Sequence, residues 1–148
     1  MKKNLFLALC LIAFQFSVFS SQLMAETVPA TDSRITFVGR SVIENDSYRF
    51  DFPSTYFRVA FSGKKLSMRV TDTKRNYYAV FVNTPTSSEP TRIVEVKGTD
   101  TIIDLVLPAD LKSLKTKEYQ VVIQRRTEAN CGTTTVKEFI TDGKFLQA

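Results

Sequence analysis

Short runs in which every second residue is apolar dominate this chain, and they leave little room for anything but an all-β fold. Tyr48, Phe50 and Phe52 alternate with Arg49 and Asp51, and Phe57, Val59 and Phe61 alternate with Tyr56, Arg58 and Ala60. Leu66, Met68 and Val70 alternate with Lys65, Ser67, Arg69 and Thr71. A period of two puts successive side chains on opposite faces of a strand. Tyr77 to Val82 is nearly continuous apolar sequence, the pattern of a strand buried on both faces. Shorter runs follow at Ile93–Val96, Thr101–Leu107, Tyr119–Ile123 and Val136–Ile140. Turn residues separate them at Asn45-Asp46-Ser47, Pro53-Ser54, Ser62-Gly63-Lys64, Asp72–Asn76, Asn83–Pro90, Gly98-Thr99-Asp100 and Asp142-Gly143. The runs of Phe57–Phe61 and Leu66–Val70 read as a hairpin across their short glycine loop. Asp110 to Leu114 reads as one helical turn with Asp110 as its cap. No stretch beyond the N-terminal apolar run carries a three-turn helical pattern, which argues against a parallel βαβ architecture. Roughly ten short strands at this spacing predict a two-sheet antiparallel β-sandwich of jelly-roll type.

The N-terminus has a different character. Met1-Lys2-Lys3 is followed by an apolar run from Leu5 to Phe19, interrupted only by Gln15 and Ser17. Small residues at Ser20 and Ala25 offer cleavage points within 20–25. This predicts a secretory signal peptide over residues 1–25, too short and poorly flanked to be a transmembrane anchor. The predicted destination is therefore export, to the periplasm, the cell surface or the medium. Residues 26–33 are polar and contain Pro29, and read as a flexible leader before a sandwich domain over 34–148. Losing Lys2 and Lys3 with the signal lowers the formal charge from +5 to +3. The remaining charges are interspersed rather than blocked, so nucleic acid is a poor partner. Cys10 lies in the apolar run, and Cys131 is left as a lone thiol whose simplest role is that of a small turn residue.

The chain contains no histidine and no tryptophan. The first absence removes the Ser-His-Asp triad, the Cys-His dyad and histidine-based zinc sites from these 148 residues. Aspartates fall mostly in turns, with no calcium-loop spacing. No serine sits in a Gly-x-Ser-x-Gly elbow, and Ser62-Gly63-Lys64-Lys65 has the composition of an ordinary turn. Neither a catalytic residue, a metal ligand nor a cofactor-binding residue is assigned. Tyr48, Tyr56, Tyr77 and Tyr78 are candidate glycan contacts through ring and hydroxyl, although core or sheet packing is the preferred reading of each. The stretch Glu118 to Gly132 runs from an apolar strand into Arg125-Arg126-Thr127-Glu128. Arg125, Arg126 and Glu128 are candidates for a framework or domain-docking role. Arg126 and Glu128, two apart, have the spacing of a surface ion pair, and Arg126→Ala is expected to lower stability or docking.

A family pattern runs through these segments. Val38-Gly39-Arg40, Phe61-Ser62-Gly63, the strand and turn from Leu66 to Asp72, Tyr77 to Val82, and Tyr119 to Glu128 ending in Arg-Arg-Thr-Glu resemble the N-terminal β-sandwich of carbohydrate esterase family 2. Gly132, Phe139 and Phe145-Leu146 continue the resemblance, which covers about Arg34 to the C-terminus. It implies a jelly roll that precedes an SGNH/GDSL hydrolase domain removing acetyl groups from plant polysaccharides such as xylan and glucomannan. In that family the catalytic serine and histidine belong to the hydrolase. Ala148 falls about where the hydrolase would begin, and no Gly-Asp-Ser block is present, so no catalytic residue carries over. The resemblance implies a non-catalytic accessory domain with an SGNH/GDSL hydrolase domain or protein as partner. The alternative is a free-standing secreted module that binds a polysaccharide or another surface.

Overall fold

The computed structural model describes residues 25–148, so the segment read as a signal peptide lies outside the described residues except for Ala25. Ten strands make up the domain: β1 (Glu26–Pro29), β2 (Thr36–Val38), β3 (Val42–Glu44), β4 (Ser47–Phe50), β5 (Tyr56–Ser62), β6 (Leu66–Val82), β7 (Arg92–Val106), β8 (Tyr119–Arg125), β9 (Thr134–Thr141) and β10 (Lys144–Leu146). A single helical turn, α1 (Pro108–Leu111), and a 3-10 turn (Ala129–Cys131) complete it. Every strand pairing is antiparallel.

The architecture is a two-sheet β-sandwich of jelly-roll type, built around a long ribbon bent double. Strands β6 and β7 pair along nearly their whole length, with register shifts between Val70 and Arg75. The first half of β6 pairs with β9 from Leu66 to Asp72, and its second half pairs with β8 from Tyr78 to Val82. One sheet therefore contains β6 with β8, β5 and, on the far edge of β5, β2 and β10. The other contains β6 with β9, then β4 and β1, and β3 beyond β4. Asp72–Asn76 and Gly98-Thr99-Asp100, expected as turns between strands, are the corner of this ribbon. Gly98 (φ 87°) and Asp100 (φ 51°) carry the left-handed backbone that lets β7 fold over without ending.

Inward side chains from both sheets meet in one core. Phe57, Val59, Phe61, Val80, Val121 and Ile123 face Leu66, Met68, Val70, Val136 and Phe139, all of them 0–1 % exposed. Val136 and Phe139 both point inward although they are three apart, because a register shift in the β6–β9 pairing opposite Arg69 and Val70 absorbs one residue. Tyr78, Val80 and Val82 face the core, while Ala79 and Phe81 on the opposite side are 4 % exposed. The reading of this stretch as buried on both faces therefore holds from Tyr78 onward.

Three expectations are corrected. Residues 26–33 are not a loose leader: β1 pairs with β9 from Glu26↔Thr141 to Pro29↔Glu138. Glu26 also accepts the Phe145 N–H at 2.7 Å and an Arg34 Nη1–H at 2.9 Å, so its carboxylate ties β1 to β10. Strands β5 and β6 are not a hairpin, since β5 pairs with β2, β8 and β10 and the Ser62–Lys65 connection crosses between sheets. The helical turn begins at Pro108, and Asp110 stabilises it from within, accepting the Leu107 N–H at 2.8 Å.

Candidate functional site

Arg125 is the last residue of β8, and alternation along Tyr119, Val121 and Ile123 points it into the sandwich. It is 1 % exposed, a guanidinium where the pattern calls for an aliphatic side chain. Its fork is filled. Nε donates to the Thr127 carbonyl at 3.0 Å, Nη1 to the Thr134 hydroxyl at 3.2 Å, and Nη2 to the carbonyls of Glu128 at 3.0 Å and Gly132 at 2.6 Å. The side chain thus ties down the whole connection between β8 and β9.

The charge is answered through a hydroxyl. Thr134 Oγ1 accepts from Arg125 and from the Tyr78 phenol (2.7 Å) and donates to Asp72 Oδ2 at 2.6 Å. Asp72 Oδ2 also accepts from the Asn76 amide at 2.7 Å, and Thr127 donates to Asn76 Oδ1. Asp72 and Asn76 flank the corner of β6, so the network closes the bent ribbon onto β8 and β9. Burial pushes the Tyr78 phenol up to about 12, against the favourable Thr134 hydrogen bond, so it stays neutral and donates. Among the described residues no buried side-chain nitrogen or oxygen lacks a partner. A satisfied polar network of this kind specifies one arrangement of the corner and presents no free group to a ligand.

The residue after it behaves oppositely. The Arg126 N–H donates to the Tyr77 carbonyl at 2.9 Å, but its side chain is exposed. Strand β8 has ended, so Arg126 and Glu128 do not share a strand face, and no ion pair joins them. Glu128 contributes its carbonyl to Arg125, while its side chain is exposed. The buried hydrogen-bond network thus centres on Arg125, and the Arg126 side chain lies outside it.

The four tyrosines separate into two pairs. Tyr78 is 1 % exposed and has no surface to offer a sugar. Tyr48 is half-buried and stacked on Phe37, with ring centroids 4.2 Å apart, so the ring face toward Phe37 is occupied by the core. Tyr56 and Tyr77 reach the outer face of the β5–β8–β6–β7 sheet. Register lines up Val38, Tyr56, Gln124, Ala79 and Ile93 in one row across five strands. The next row carries Thr36, Arg58, Val122 and Phe81. Val38 (42 %), Tyr77 (36 %) and Ile93 (49 %) are exposed there, and Arg58 lies 5.7 Å from the centre of the Tyr56 ring. From strand spacing and rise, Tyr56 and Tyr77 stand roughly 12 Å apart, so only an extended partner touches both.

Sequence reasoning missed Asp72, Asn76, Thr127 and Thr134, which look like ordinary turn and strand polar residues. The only signal was an arginine at an inward position of an apolar strand. Among the described residues no cluster of three acidic or thiol side chains is arranged to hold a metal, and no helix is long and apolar enough to cross a membrane. Cys131 is half-buried in the 3-10 turn, its thiol 3.5 Å from Asn130 Oδ1.

Comparison with known proteins bears on this geometry. A search of curated proteins finds no match. Among solved structures, a family two carbohydrate esterase from Cellvibrio japonicus superposes with a TM-score of 0.66 at 23 % identity, over 84 % of this chain and 35 % of the esterase. A family two carbohydrate esterase from Clostridium thermocellum, in complex with cellohexaose, gives 0.64 at 22 %, over 77 % and 33 %. The carbohydrate-binding module CBM36, in complex with calcium and xylotriose, gives 0.52 at 10 %, over 82 % of this chain and 99 % of the module. The chain thus spans about a third of the length of the esterases it resembles. At these identities the likeness is one of fold. The sequence profile of the carbohydrate esterase 2 N-terminal domain matches residues 37–148, from the second residue of β2 to the end of the chain, and the chain belongs to that family.

Proposed function

We propose that this chain is an exported, non-catalytic accessory domain that serves an SGNH/GDSL hydrolase domain in removing acetyl groups from plant polysaccharides. The observation that carries the reading is the family match across residues 37–148, in a chain with no histidine from which to build the hydrolase triad. The arrangement of charge supports it. The conspicuous buried polar cluster, around Arg125, is internally satisfied and holds the fold together rather than facing a substrate. The exposed side chains of Val38, Tyr77, Ile93 and Arg58, with the half-buried Tyr56, give the outer sheet face a mixed apolar and polar surface, of the composition that inter-domain contacts use. Arg126 stands beside Tyr77 at the margin of that face and is the docking candidate; Arg125 and Glu128 act as framework.

The test pairs the purified protein with the SGNH hydrolase domain of a family two esterase from the same genome. The chain alone is expected to give no turnover of an acetyl ester. Mixed with the hydrolase domain, it is expected to co-elute with it and raise its melting temperature. Turnover by the chain alone, or no association at micromolar concentrations, overturns the reading.

A second reading is favoured by one observation: the sandwich covers 99 % of a carbohydrate-binding module at a TM-score of 0.52. In that case the chain is a free-standing glycan-binding or surface-interaction module, with Tyr56 and Tyr77 as contacts. Calorimetric titration with xylan or glucomannan separates the two. Measurable heat that Tyr56→Ala and Tyr77→Ala abolish supports the module, and no heat with any glycan removes it.

A further inference from the structure

The end of the sandwich opposite the ribbon corner collects the connections 62–65, 83–91, 107–118 and 142–143. The connections 62–65, 107–118 and 142–143, with Tyr119 and Lys144 beside them, line a cleft of about 810 Å³. Lys64, Lys117 and Lys144 line it, each from a different connection or strand start, with Tyr119 and Asp142 between them. Gly143 allows this closeness: a Cβ there would fall 1.8 Å from the Ser62 carbonyl oxygen, so no other residue lets the two connections approach.

The ionic state of these lysines sets the cleft apart. Elsewhere, Lys65 pairs with Asp104 at 3.1 Å, Lys97 with Glu95 at 2.9 Å and Lys137 with Asp100 at 3.2 Å, while Lys74, without a carboxylate, donates to the Asn130 carbonyl at 3.1 Å. Among the described residues Lys64, Lys117 and Lys144 have no carboxylate within ion-pairing distance, nor do Lys112 and Lys115 on the connection that carries Lys117. Asp142 is the one acid lining the cleft, and its Oδ1 already accepts the backbone N–H groups of Lys64 (2.8 Å) and Lys65 (3.1 Å). On the 107–118 connection Asp110 is taken by Arg92 at 3.0 Å, and Glu118 is exposed. The cleft thus holds a surplus of unanswered ammonium groups inside a recess, where the facing walls concentrate their potential.

We propose that this lysine-lined cleft binds the carboxylates of an acidic polysaccharide. The inference rests on the accessory-domain reading for the choice of a glycan; the anionic chemistry comes from the lysines. An extended chain bearing a carboxylate on each sugar presents regularly spaced charges to Lys64, Lys117 and Lys144. Flexible lysine stems follow such a chain without demanding the fixed geometry of an arginine fork. An anionic membrane fits less well. The exposed large apolar residues, Val38, Val42, Ile43, Phe52, Tyr77, Ile93 and Ile102, do not line the cleft, and the cleft's own aromatic, Tyr119, is 7 % exposed. A surface-binding patch needs apolar side chains beside its cations to enter the lipid boundary. Nucleic acid fits less well for the same reason, since no exposed ring lines the cleft for base stacking.

The test is titration of the purified protein with polygalacturonate, by calorimetry or affinity electrophoresis, at low and at physiological salt. Binding is expected, and it weakens as salt rises. Replacing Lys64, Lys117 and Lys144 together by Gln is expected to weaken it about tenfold or more, from three lost ion pairs, with the melting temperature unchanged. Replacing Lys74, Lys97 and Lys137 by Gln removes the same charge elsewhere and is expected to leave binding within about twofold. Equal loss in both triple variants means net charge alone is at work and overturns the proposal. So does equal affinity for neutral glucomannan, or binding to phosphatidylglycerol vesicles in place of polygalacturonate. Heparin serves as the sulfated arm, and a preference for it over polygalacturonate refutes the carboxylate assignment. A protein that docks with its hydrolase yet ignores polygalacturonate loses this inference and keeps the accessory role.

Discussion

Replacing Arg125 by methionine is the sharpest test of the corner network. Methionine keeps an unbranched stem of similar reach, so the loss is concentrated in the guanidinium. Four hydrogen bonds disappear, and the carbonyls of Thr127, Glu128 and Gly132 lose their buried donor. Asp72, 6 % exposed, keeps the Thr134 hydroxyl and the Asn76 amide but loses the cation behind them. Removing one member of a buried charged arrangement costs about 3–5 kcal/mol. For a domain of this size that is roughly a third to a half of the usual total stability, or a fall of roughly 15 °C in melting temperature. Urea unfolding followed by circular dichroism measures it, with Arg126→Ala as the neighbouring control. The exposed Arg126 is expected to change stability by about 0.5 kcal/mol or less. Combining Arg125→Met with Asp72→Asn is expected to cost less than the two single changes added, by about 1–3 kcal/mol, because the double variant no longer buries an unanswered charge. The reasoning fails if Arg125→Met stays within about 1 kcal/mol of the parent. It fails equally if Arg126→Ala is as damaging.

Gly132→Ala probes the same corner from the backbone. Gly132 sits at φ 120°, and a Cβ there would lie 3.0 Å from Asp72 Oδ1, Lys74 Cβ and Thr73 Oγ1, so a loss of about 2 kcal/mol is expected in the same urea experiment; no change would mean the 129–133 connection can relax freely. Acid tests the other clamp. The Phe145 N–H, with Arg34 adding to it, holds the Glu26 carboxyl below its ordinary 4.5, against an opposing effect of burial, and the Arg34 side chain and N–H hold Asp32 below 3.8. Folded values below the unfolded ones mean the stabilisation is complete above about pH 4.5 and is lost as pH falls through the depressed values. Glu26→Gln is therefore expected to lower the melting temperature at neutral pH and to flatten its fall below about pH 4.5; a pH–melting curve parallel to the parent's would remove Glu26 from the account.

The longer strands were legible because one face of each is buried, and burial leaves a period of two in the sequence; β3, exposed throughout, leaves no such mark. Their pairing was less legible. Ser62-Gly63-Lys64 looks like a hairpin turn, yet the same residues serve a crossover between sheets, since turn chemistry fixes local φ and ψ but not which strand comes to lie alongside. The 72–76 and 98–100 segments were misread for a related reason. A corner in a continuous ribbon needs the same polar residues and the same left-handed positions as a turn that ends a strand. β1 was missed because its pairing rests on backbone hydrogen bonds to β9 and on the distant partners of Glu26, none of which marks four residues containing a proline. The Arg-Arg-Thr-Glu cluster was noticed, but the contrast between buried Arg125 and exposed Arg126 depends on strand phase to the residue, and phase is clear only once β8 is known to end at Arg125.

The two ends of the sandwich differ in what they leave free. At the ribbon corner both sheets are joined by covalent continuity of β6 and β7, and Arg125, Asp72, Asn76 and Thr134 consume one another's hydrogen bonds. A ligand arriving there would have to replace bonds that already exist, so its gain would be the small difference between old and new partners. At the other end the 62–65 and 142–143 connections are held close through Gly143, and beside them Lys64, Lys117 and Lys144 have no carboxylate partner among the described residues. An anion arriving there displaces only water and counter-ions, so the attraction it gains is not spent on breaking bonds within the protein. The same lysines are spared by the core, since none of them is buried, and substitutions among them change affinity without touching the fold. The corner fixes the domain's shape, and the open end is where its binding chemistry can be altered at least cost to stability.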